Sequence, residues 1–284
     1  MKAYNYSFRA LKFWLREPEL EITTPELIRL LLPERIVRFM KKPMDSAIVS
    51  VQEVEDYSKI QFRGLSYPLY YPKKMPLEPL NQVARELFNK NDPHYYEKKI
   101  TPVEDDIVLD CGAAEGLFGL TILGRARRIF LVEPLPIFQK SLIRTYAGFS
   151  SIELLPYALG SSTGQVFFTS DEFAISSRVS EAPSDLIVNQ TTIDKLFFDR
   201  GEEVTYIKAD VEGAEIDLIR GGLKTIKSNK PKIAITTYHS PSHARDIIKM
   251  IKGVSSNYKI VTKGYVFNQN NPELNFPVML HAST

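Results

Sequence analysis

The chain has 284 residues, of which 44% are hydrophobic and 25% are charged, and this composition is typical of a folded globular protein. Its formal net charge of +2 offers no strong positive field, so we expect no nucleic-acid partner. A single cysteine, Cys111, cannot form an internal disulfide, and no His/Cys cluster has zinc-site spacing. These facts favour a cytoplasmic enzyme or binding protein with one large domain.

Residues 1–45 predict a helical appendage, because Pro18, Pro25 and Pro33 punctuate short helical patterns. Around Trp14, apolar residues fall at helical spacing among basic ones, which permits contact with a membrane surface, packing on the protein or self-association. Charges interrupt every apolar run, so this segment predicts neither an export signal nor a transmembrane helix.

Residues 46–99 predict a second region. Three β-type stretches between Ser46 and Tyr71, with turn signals between them, indicate a small antiparallel meander. A helix over Leu80–Phe88 is expected to lead into the rest of the chain.

Residues 100–284 have the alternating rhythm of an α/β domain. Apolar strands separated mostly by helix-length segments predict a parallel sheet that is buried on both faces. An antiparallel insertion follows Ala158, and one helix is expected over the string AEIDLIRGGLKTI. The predicted sheet strands are Ile107–Leu109, Ile129–Val132, Ile152–Leu155, Val204–Ile207 and Ile233–Thr236, with closing strands at Tyr258–Thr262 and Asn275–His281. The fold class is therefore α/β, with a mostly parallel, seven-stranded Rossmann-like sheet.

The string IVLDCGAAEGLF runs from a strand through a glycine loop into a helix, which is where a doubly wound sheet binds its ligand. Its spacing is Asp-x-Gly-x-x-x-Gly, and the carboxylate of Asp110 would repel a diphosphate and attract a cation. S-adenosylmethionine fits because it has no phosphate and carries an ammonium and a sulfonium group. A nicotinamide oxidoreductase is a weaker alternative, which the carboxylate of Asp110 opposes. The candidate cofactor residues of this loop are Asp110, Gly112, Ala113, Glu115 and Gly116.

Two further positions complete the predicted cofactor site. Glu133 ends the next strand about 20 residues after the loop, where an acid accepts hydrogen bonds from ribose hydroxyls. Ala158 ends the following strand, and its small side chain would let an adenine approach the backbone.

A third polar cluster lies in KADVEGAE, which follows the strand Val204–Ile207. Lys208, Asp210 and Glu212 alternate along the chain and are expected to converge above the sheet, with Glu215 one turn further on. The alternative is that these acids only favour a helix N-terminus through its dipole. Asp210 counts both as a cofactor contact and as a catalytic residue.

His239 ends the strand after that and precedes a plausible helix start. An ordinary histidine pKa near 6.5 would suit it to accept a proton from a hydroxyl. The candidate catalytic residues are therefore His239, Asp210, Glu212 and Lys208.

These motifs in this order resemble the FkbM family of S-adenosylmethionine-dependent methyltransferases. The matching strings are VLDCGAAEGLFGL, FLVEPLP, LLPYALGSSTGQVFF, TTIDKL, YIKADVEGAEIDLIRGG and TYHSP. The resemblance implies a class I methyltransferase sheet, cofactor contacts at Asp110, Gly112, Gly116 and Glu133, and O-methylation of a sugar, glycan or secondary-metabolite hydroxyl.

The chain departs from the family pattern at two places. Family members often carry an acid where this chain has Thr236, Thr237 and Tyr238. This difference argues against a metal-assisted mechanism that needs a carboxylate from that strand, and we assign no metal ligand. The more usual Gly-Ala-Asn loop is Gly112-Ala113-Ala114 here, followed by Glu115, so the methionine end of the cofactor is expected to be held differently.

Two other classes stay open: a catalytically inactive binding protein of the same fold, and a membrane-peripheral scaffold acting through residues 1–45. A small-molecule or glycan acceptor is the expected partner, and a homo-oligomer is allowed.

Overall fold

A computed structural model describes residues 47–88, 104–169, 178–180, 186–266 and 276–284, and also 15, 21–22, 28, 32 and 102. Within the predicted helical appendage, Leu15 and Ile28 are helical, and Glu21–Ile22 forms a short strand, β1. The rest of residues 1–45 lies outside the described residues, so the helical appendage stays a prediction.

The predicted meander and its helix are confirmed. Strands β2 (Ile48–Val54), β3 (Tyr57–Phe62) and β4 (Leu69–Pro72) pair antiparallel in that order, and α1 (Leu77–Phe88) follows. The helix begins three residues earlier than predicted, because a proline is tolerated in a first helical turn. It buries Leu80, Ala84 and Leu87, whose spacing places them on one face.

The main sheet contains the seven predicted strands and β1 at its edge, in the order β1-β14-β15-β13-β12-β5-β6-β7. Only β15 runs antiparallel to its neighbours, β13 and β14. The predicted antiparallel insertion is also confirmed as a four-stranded sheet of order β10-β9-β11-β8, in which β8 and β11 are parallel. The strands after the meander are β5 (Ile107–Cys111), β6 (Arg128–Val132), β7 (Ile152–Leu155), β8 (Ala158–Leu159), β9 (Gly164–Thr169), β10 (Arg178–Ser180), β11 (Leu186–Thr191), β12 (Tyr206–Ala209), β13 (Lys232–Thr236), β14 (Lys259–Val266) and β15 (Phe276–Ser283).

Helices connect most of the parallel strands. They are α2 (Leu117–Ile122), α3 (Pro136–Thr145), α4 (Ile193–Leu196), α5 (Glu215–Arg220), α6 (Leu223–Asn229) and α7 (His243–Val254), with a 3-10 turn at Phe198–Arg200. The expectation of one helix over AEIDLIRGGLKTI is wrong, because Gly221 and Gly222 separate α5 from α6. A Cβ on Gly221 would lie 2.1 Å from the carbonyl oxygen of Gly160, so the close approach of the insertion requires glycine at this break. None of the helices in the described part of the chain is long and apolar enough to cross a membrane.

The sheet register brings three loops to one edge. Strand β12 lies between β5 and β13, with Lys208 opposite Asp110 on one side and opposite Ala234 on the other. Because all three strands are parallel, the loops that follow β5, β12 and β13 leave the sheet together at its carboxyl edge. The predicted cofactor loop follows β5, the predicted acidic cluster follows β12, and His239 follows β13.

We expect Ile207→Ala, at a fully buried position in the centre of β12, to lower the free energy of unfolding by about 2–5 kcal/mol, through lost burial and a residual cavity. The matched control is Ile187→Ala on β11, where the side chain is 52% exposed and the loss should stay below about 1 kcal/mol. Urea unfolding measures both changes. Equal losses would show that the packing of the main sheet is not as described.

Candidate active site

The loop after β5 is pressed against the backbone that follows β12. Gly112 has a φ of 73°, and a Cβ there would lie only 1.9 Å from the carbonyl oxygen of Asp210. The backbone N–H groups of Gly112 and Ala113 both donate to the carbonyl oxygen of Val132, at 3.0 Å. Position 112 requires glycine because its φ is positive and because a side chain would collide with the carbonyl oxygen of Asp210.

A buried ion pair between Lys208 and Asp110 lies next to this loop. Lys208 Nζ lies 3.0 Å from Asp110 Oδ1 and donates a hydrogen bond of 2.7 Å to the carbonyl oxygen of Gly112. Burial lowers the pKa of Lys208, but the Asp110 and Asp210 carboxylates outweigh it and hold that pKa above its usual value. Lys208 therefore joins β12 to the loop through its charged group, and its predicted catalytic role stays a prediction.

Glu133 also holds this loop in place, through hydrogen bonds to the backbone. Its Oε2 accepts from the Ala114 N–H at 2.8 Å, and its Oε1 accepts from the Leu135 N–H at 2.9 Å. Burial raises the pKa of Glu133 to about 7, in spite of these two backbone hydrogen bonds, which lower it. The carboxylate predicted to hold a ribose thus also fixes the loop, and the remaining lone pairs of each oxygen stay available to a ligand.

Glu115 and Gly116 complete the turn into α2. Burial likewise raises the pKa of Glu115 to about 7. Gly116 has a φ of 86°, and a Cβ on it would lie 2.5 Å from Leu142 Cδ2, while its carbonyl oxygen accepts a short hydrogen bond from the Tyr146 hydroxyl. Gly116 thus serves the packing of the loop against α3.

A cavity of about 630 Å³ opens beside this loop. Among the described residues, its wall includes neither Asp110 nor Gly116, and their predicted contacts with the cofactor stay predictions. Helix α1, β9 and β15 also contribute apolar wall that sequence reasoning did not assign to the site. The predicted site residues on the wall are Gly112, Ala113, Glu115, Glu133, Ala158, Lys208, Asp210 and Glu212; the residues that were missed include Tyr71, Val83, Leu87, Phe168, Tyr238 and Val278.

Asp210 lies where the wall becomes polar. Its Oδ1 accepts hydrogen bonds from Thr236 Oγ1 at 3.1 Å and from the Tyr238 hydroxyl at 3.2 Å. Both donors come from the end of β13, immediately before His239. The one signal for Tyr238 in the sequence is this position, next to a polar residue at the carboxyl end of a strand.

Both ring nitrogens of His239 face carboxylates. Its Nε2 lies 3.1 Å from Glu212 Oε2, and its Nδ1 lies 3.0 Å from Glu215 Oε1. Burial lowers the pKa of His239, but the hydrogen bonds to Glu212 and Glu215 outweigh it and raise that pKa to about 10. A raised pKa disfavours His239 as the residue that accepts a proton, and its role as a base stays a prediction.

Glu215 is fully buried and organises this end of the site. Its Oε1 also accepts from the backbone N–H groups of Val211 and Gly213, and its Oε2 lies 3.2 Å from Nδ1 of His243. Burial raises the pKa of Glu215, but its hydrogen bonds with His239 and His243 outweigh that effect and hold the pKa well below the usual range. A helix-dipole role alone does not account for a carboxylate with two histidine partners.

Asp210, Glu212 and His239 each offer one ligand atom, and these atoms all lie within 4.8 Å of one another. The expectation that the site has no metal rested on the missing acid in β13. The loop after β12 supplies two carboxylates instead, so that argument does not apply to this chain.

The sheet order, the glycine loop and the acid after β6 define a class I methyltransferase fold with S-adenosylmethionine as the cofactor, as predicted. A family model described as the methyltransferase FkbM domain matches residues 110–259, more than half of the chain. The chain therefore belongs to the FkbM methyltransferase family. No relative was found among curated protein sequences.

Solved structures resemble the chain in fold. The structure of methyltransferase FkbM from Methylobacillus flagellatus KT has a TM-score of 0.50 and 23% identity, and the match covers 72% of this chain and 50% of that one. This chain therefore matches about half the length of that protein. A putative SAM-dependent methyltransferase from Streptococcus mutans has a TM-score of 0.47 and 14% identity, with coverage of 82% and 57%. Aeropyrum pernix fibrillarin, solved with natively bound S-adenosyl-L-methionine, has a TM-score of 0.40 and 13% identity, with coverage of 84% and 99%.

We expect Gly112→Ala to abolish cofactor binding and to lower the melting temperature, since a Cβ at 1.9 Å from the Asp210 carbonyl oxygen must push the two loops apart. Gly148→Ala is the matched control, because Gly148 also has a positive φ, 89°, but an added Cβ meets no atom within 4 Å. Calorimetric titration with S-adenosylhomocysteine and thermal unfolding measure the effects. Equal behaviour of the two variants would contradict the close contact of the loops.

The raised pKa of Glu133 predicts how stability changes with pH. The folded protein keeps this proton up to about pH 7, whereas the unfolded chain loses it near the ordinary glutamate pKa of 4.5. Stability contributed by this group is therefore present below pH 4.5 and is lost as the pH rises through 7, by at most about 3 kcal/mol.

Glu133→Gln removes this titration, although the amide also loses one of the two acceptor oxygens and weakens the loop at every pH. We expect the melting temperature of the variant without cofactor to rise relative to that of the unmodified protein between pH 5 and pH 8. Glu203→Gln, an exposed substitution, is the control and should show no such trend. A difference that does not change with pH would show that Glu133 titrates as an ordinary glutamate.

Proposed function

We propose that this protein transfers the methyl group of S-adenosylmethionine to a hydroxyl of a sugar, glycan or secondary metabolite. One observation carries the proposal: the cofactor loop after β5 and the polar cluster after β12 and β13 contribute to the wall of one cavity. A methyl donor held on the loop and an acceptor at the polar end would thus share one chamber. Binding both in a fixed geometry supplies most of the catalysis that such a reaction needs.

The donor half of the cavity fits the cofactor. Gly112 and Ala113 form a loop without bulky side chains, and Glu133 and Glu115 supply carboxylates that suit ribose hydroxyls and a cationic group. Ala158, buried at the start of β8, leaves room for a flat ring. When bound, S-adenosylmethionine supplies a methyl group already activated by its positive sulfur. The chain's own work is therefore to position the acceptor and to handle one proton.

The acceptor half combines an apolar wall with one polar end. Val83 and Leu87 of α1, Phe168 of β9 and Val278 of β15 form the apolar side. Asp210 lies at the polar end and is fixed by Thr236 and Tyr238. An acceptor that places a hydroxyl against Asp210 would bury its less polar atoms on these apolar side chains, as a sugar or a secondary metabolite does.

Asp210 is better placed than His239 to take the proton of the acceptor. Asp210 lines the cavity, whereas both nitrogens of His239 face Glu212 and Glu215. His239 is then a positioning residue that fixes Glu212 beside the acceptor. The sequence leaves His239 and Asp210 as alternative bases, and this assignment selects Asp210.

Mass-spectrometric detection of S-adenosylhomocysteine formation, with a panel of sugar, glycan and secondary-metabolite acceptors and radiolabelled S-adenosylmethionine, tests the proposed function. A methylated hydroxyl product supports it. Cofactor binding without turnover across the panel would favour an inactive binding protein of the same fold. Binding of the full chain to liposomes, lost when residues 1–45 are removed, would favour a membrane-peripheral scaffold. A cytoplasmic location and a homo-oligomer stay predictions.

We expect His239→Ala to lower turnover by about 10²-fold, because the loss of the ring frees Glu212 and disturbs the acceptor end of the cavity. Affinity for S-adenosylhomocysteine should stay nearly unchanged, since His239 is not among the described residues that line the cavity. Steady-state kinetics and calorimetric titration measure the two quantities. Glu203→Gln at the opposite edge of the sheet is the control and should preserve both. Unchanged turnover in His239→Ala would rule out a role for this residue.

A further inference from the structure

The cluster of Asp210, Glu212 and His239 has the spacing of ligands around one metal ion. Their ligand atoms lie within 4.8 Å of one another, and His239 Nε2 is 3.1 Å from Glu212 Oε2. Two atoms bonded to one cation at about 2.1 Å, at right angles to each other, lie about 3 Å apart. The separation of the imidazole and the carboxylate therefore matches two adjacent positions of a coordination sphere.

A second layer orients this cluster. Glu215, which is fully buried, lies 3.0 Å from Nδ1 of His239. An imidazole that binds a metal characteristically donates its other N–H to a carboxylate, which fixes the tautomer and presents the second nitrogen to the ion. Nδ1 of His239 faces Glu215, and a cation that binds at Nε2 would displace to water the proton that lies between this nitrogen and Glu212.

The first carboxylate is oriented in the same way. Asp210 Oδ1 accepts from Thr236 and from Tyr238, which hold the carboxylate from the β13 side. Backbone N–H groups of Val211 and Gly213 hold Glu215 in turn. The second layer thus rests on the strand and loop backbone, as precise metal binding requires.

We propose that Asp210, Glu212 and Nε2 of His239 bind a divalent cation of the first transition row, with open coordination positions toward the cavity. Two carboxylate oxygens and one imidazole nitrogen suit manganese, iron or zinc, whereas magnesium and calcium prefer oxygen ligands alone. Asp210 and Glu212 line the cavity, so an ion between them can also bind an acceptor oxygen.

The role of this cation rests on the proposed function. A hydroxyl bound to it loses its proton more readily, because the positive charge stabilises the alkoxide, and the proton leaves to water. The bound cation would then replace a protein side chain as the means of activating the acceptor. It would also fix the acceptor oxygen at the polar end of the cavity.

The first experiment measures binding alone, with no acceptor and no methyl transfer. The full chain is stripped of metal and titrated with Mn²⁺, and free Mn²⁺ is followed by electron paramagnetic resonance. We expect one Mn²⁺ per chain, with at least tenfold weaker binding in Asp210→Asn and in His239→Gln. Glu215→Gln, which removes only the second layer, should weaken binding by about 10- to 100-fold. Glu203→Gln is the control and should bind as the unmodified protein does.

A second measurement needs no variant, which matters where a substitution at a buried position prevents folding. Pulsed electron paramagnetic resonance of the Mn²⁺-loaded protein should show coupling to the nitrogen of one directly bound imidazole. Absence of saturable binding, absence of the nitrogen coupling, or binding that survives both Asp210→Asn and His239→Gln would overturn the proposal. Methyl transfer that persists in a strong chelator, by a protein that does bind Mn²⁺ at this cluster, would remove the cation's role in activating the acceptor and leave the proposed function intact.

Discussion

The contact between the loop after β5 and the backbone after β12 is the constraint on which the rest of the site depends. Gly112 lies against the carbonyl of Asp210, and Lys208 joins the two strands by its ion pair with Asp110 and its hydrogen bond to the Gly112 carbonyl. This junction couples the donor half of the cavity to the acceptor half. A shift of either loop would change the distance between the two bound groups, to which the rate of group transfer is very sensitive.

Charge is the second organising feature. Several acidic residues collect at the carboxyl edge of the sheet, and their repulsion is relieved in different ways. Asp110 is paired with Lys208, burial favours the neutral forms of Glu115 and Glu133 near pH 7, and Glu215 is held ionised by His239 and His243. The near-neutral chain therefore concentrates acidic side chains in one crevice, and most of their charges are paired or suppressed by burial.

The elements with strong local patterns could be predicted from the sequence. The buried strands β5, β6, β7 and β13 were located to within two residues, because each is a continuous apolar run bounded by turns. The sequence does not predict the split between α5 and α6. Glycine is needed at position 221 because the carbonyl of Gly160, distant in sequence, lies against it. Likewise, the wall that α1 adds to the cavity depends on how the meander packs on the sheet, and no local pattern carries that information.

The sequence by itself determined the fold class, the family and the set of polar residues at the strand ends, because these follow from periodicity and motif order. Only the tertiary structure decided what each residue does. Lys208 binds the carbonyl of Gly112, both nitrogens of His239 face carboxylates, and one of these carboxylates is that of the buried Glu215. The physical reason is that pKa values and coordination depend on distances between strands adjacent in space, and chain order does not contain those distances.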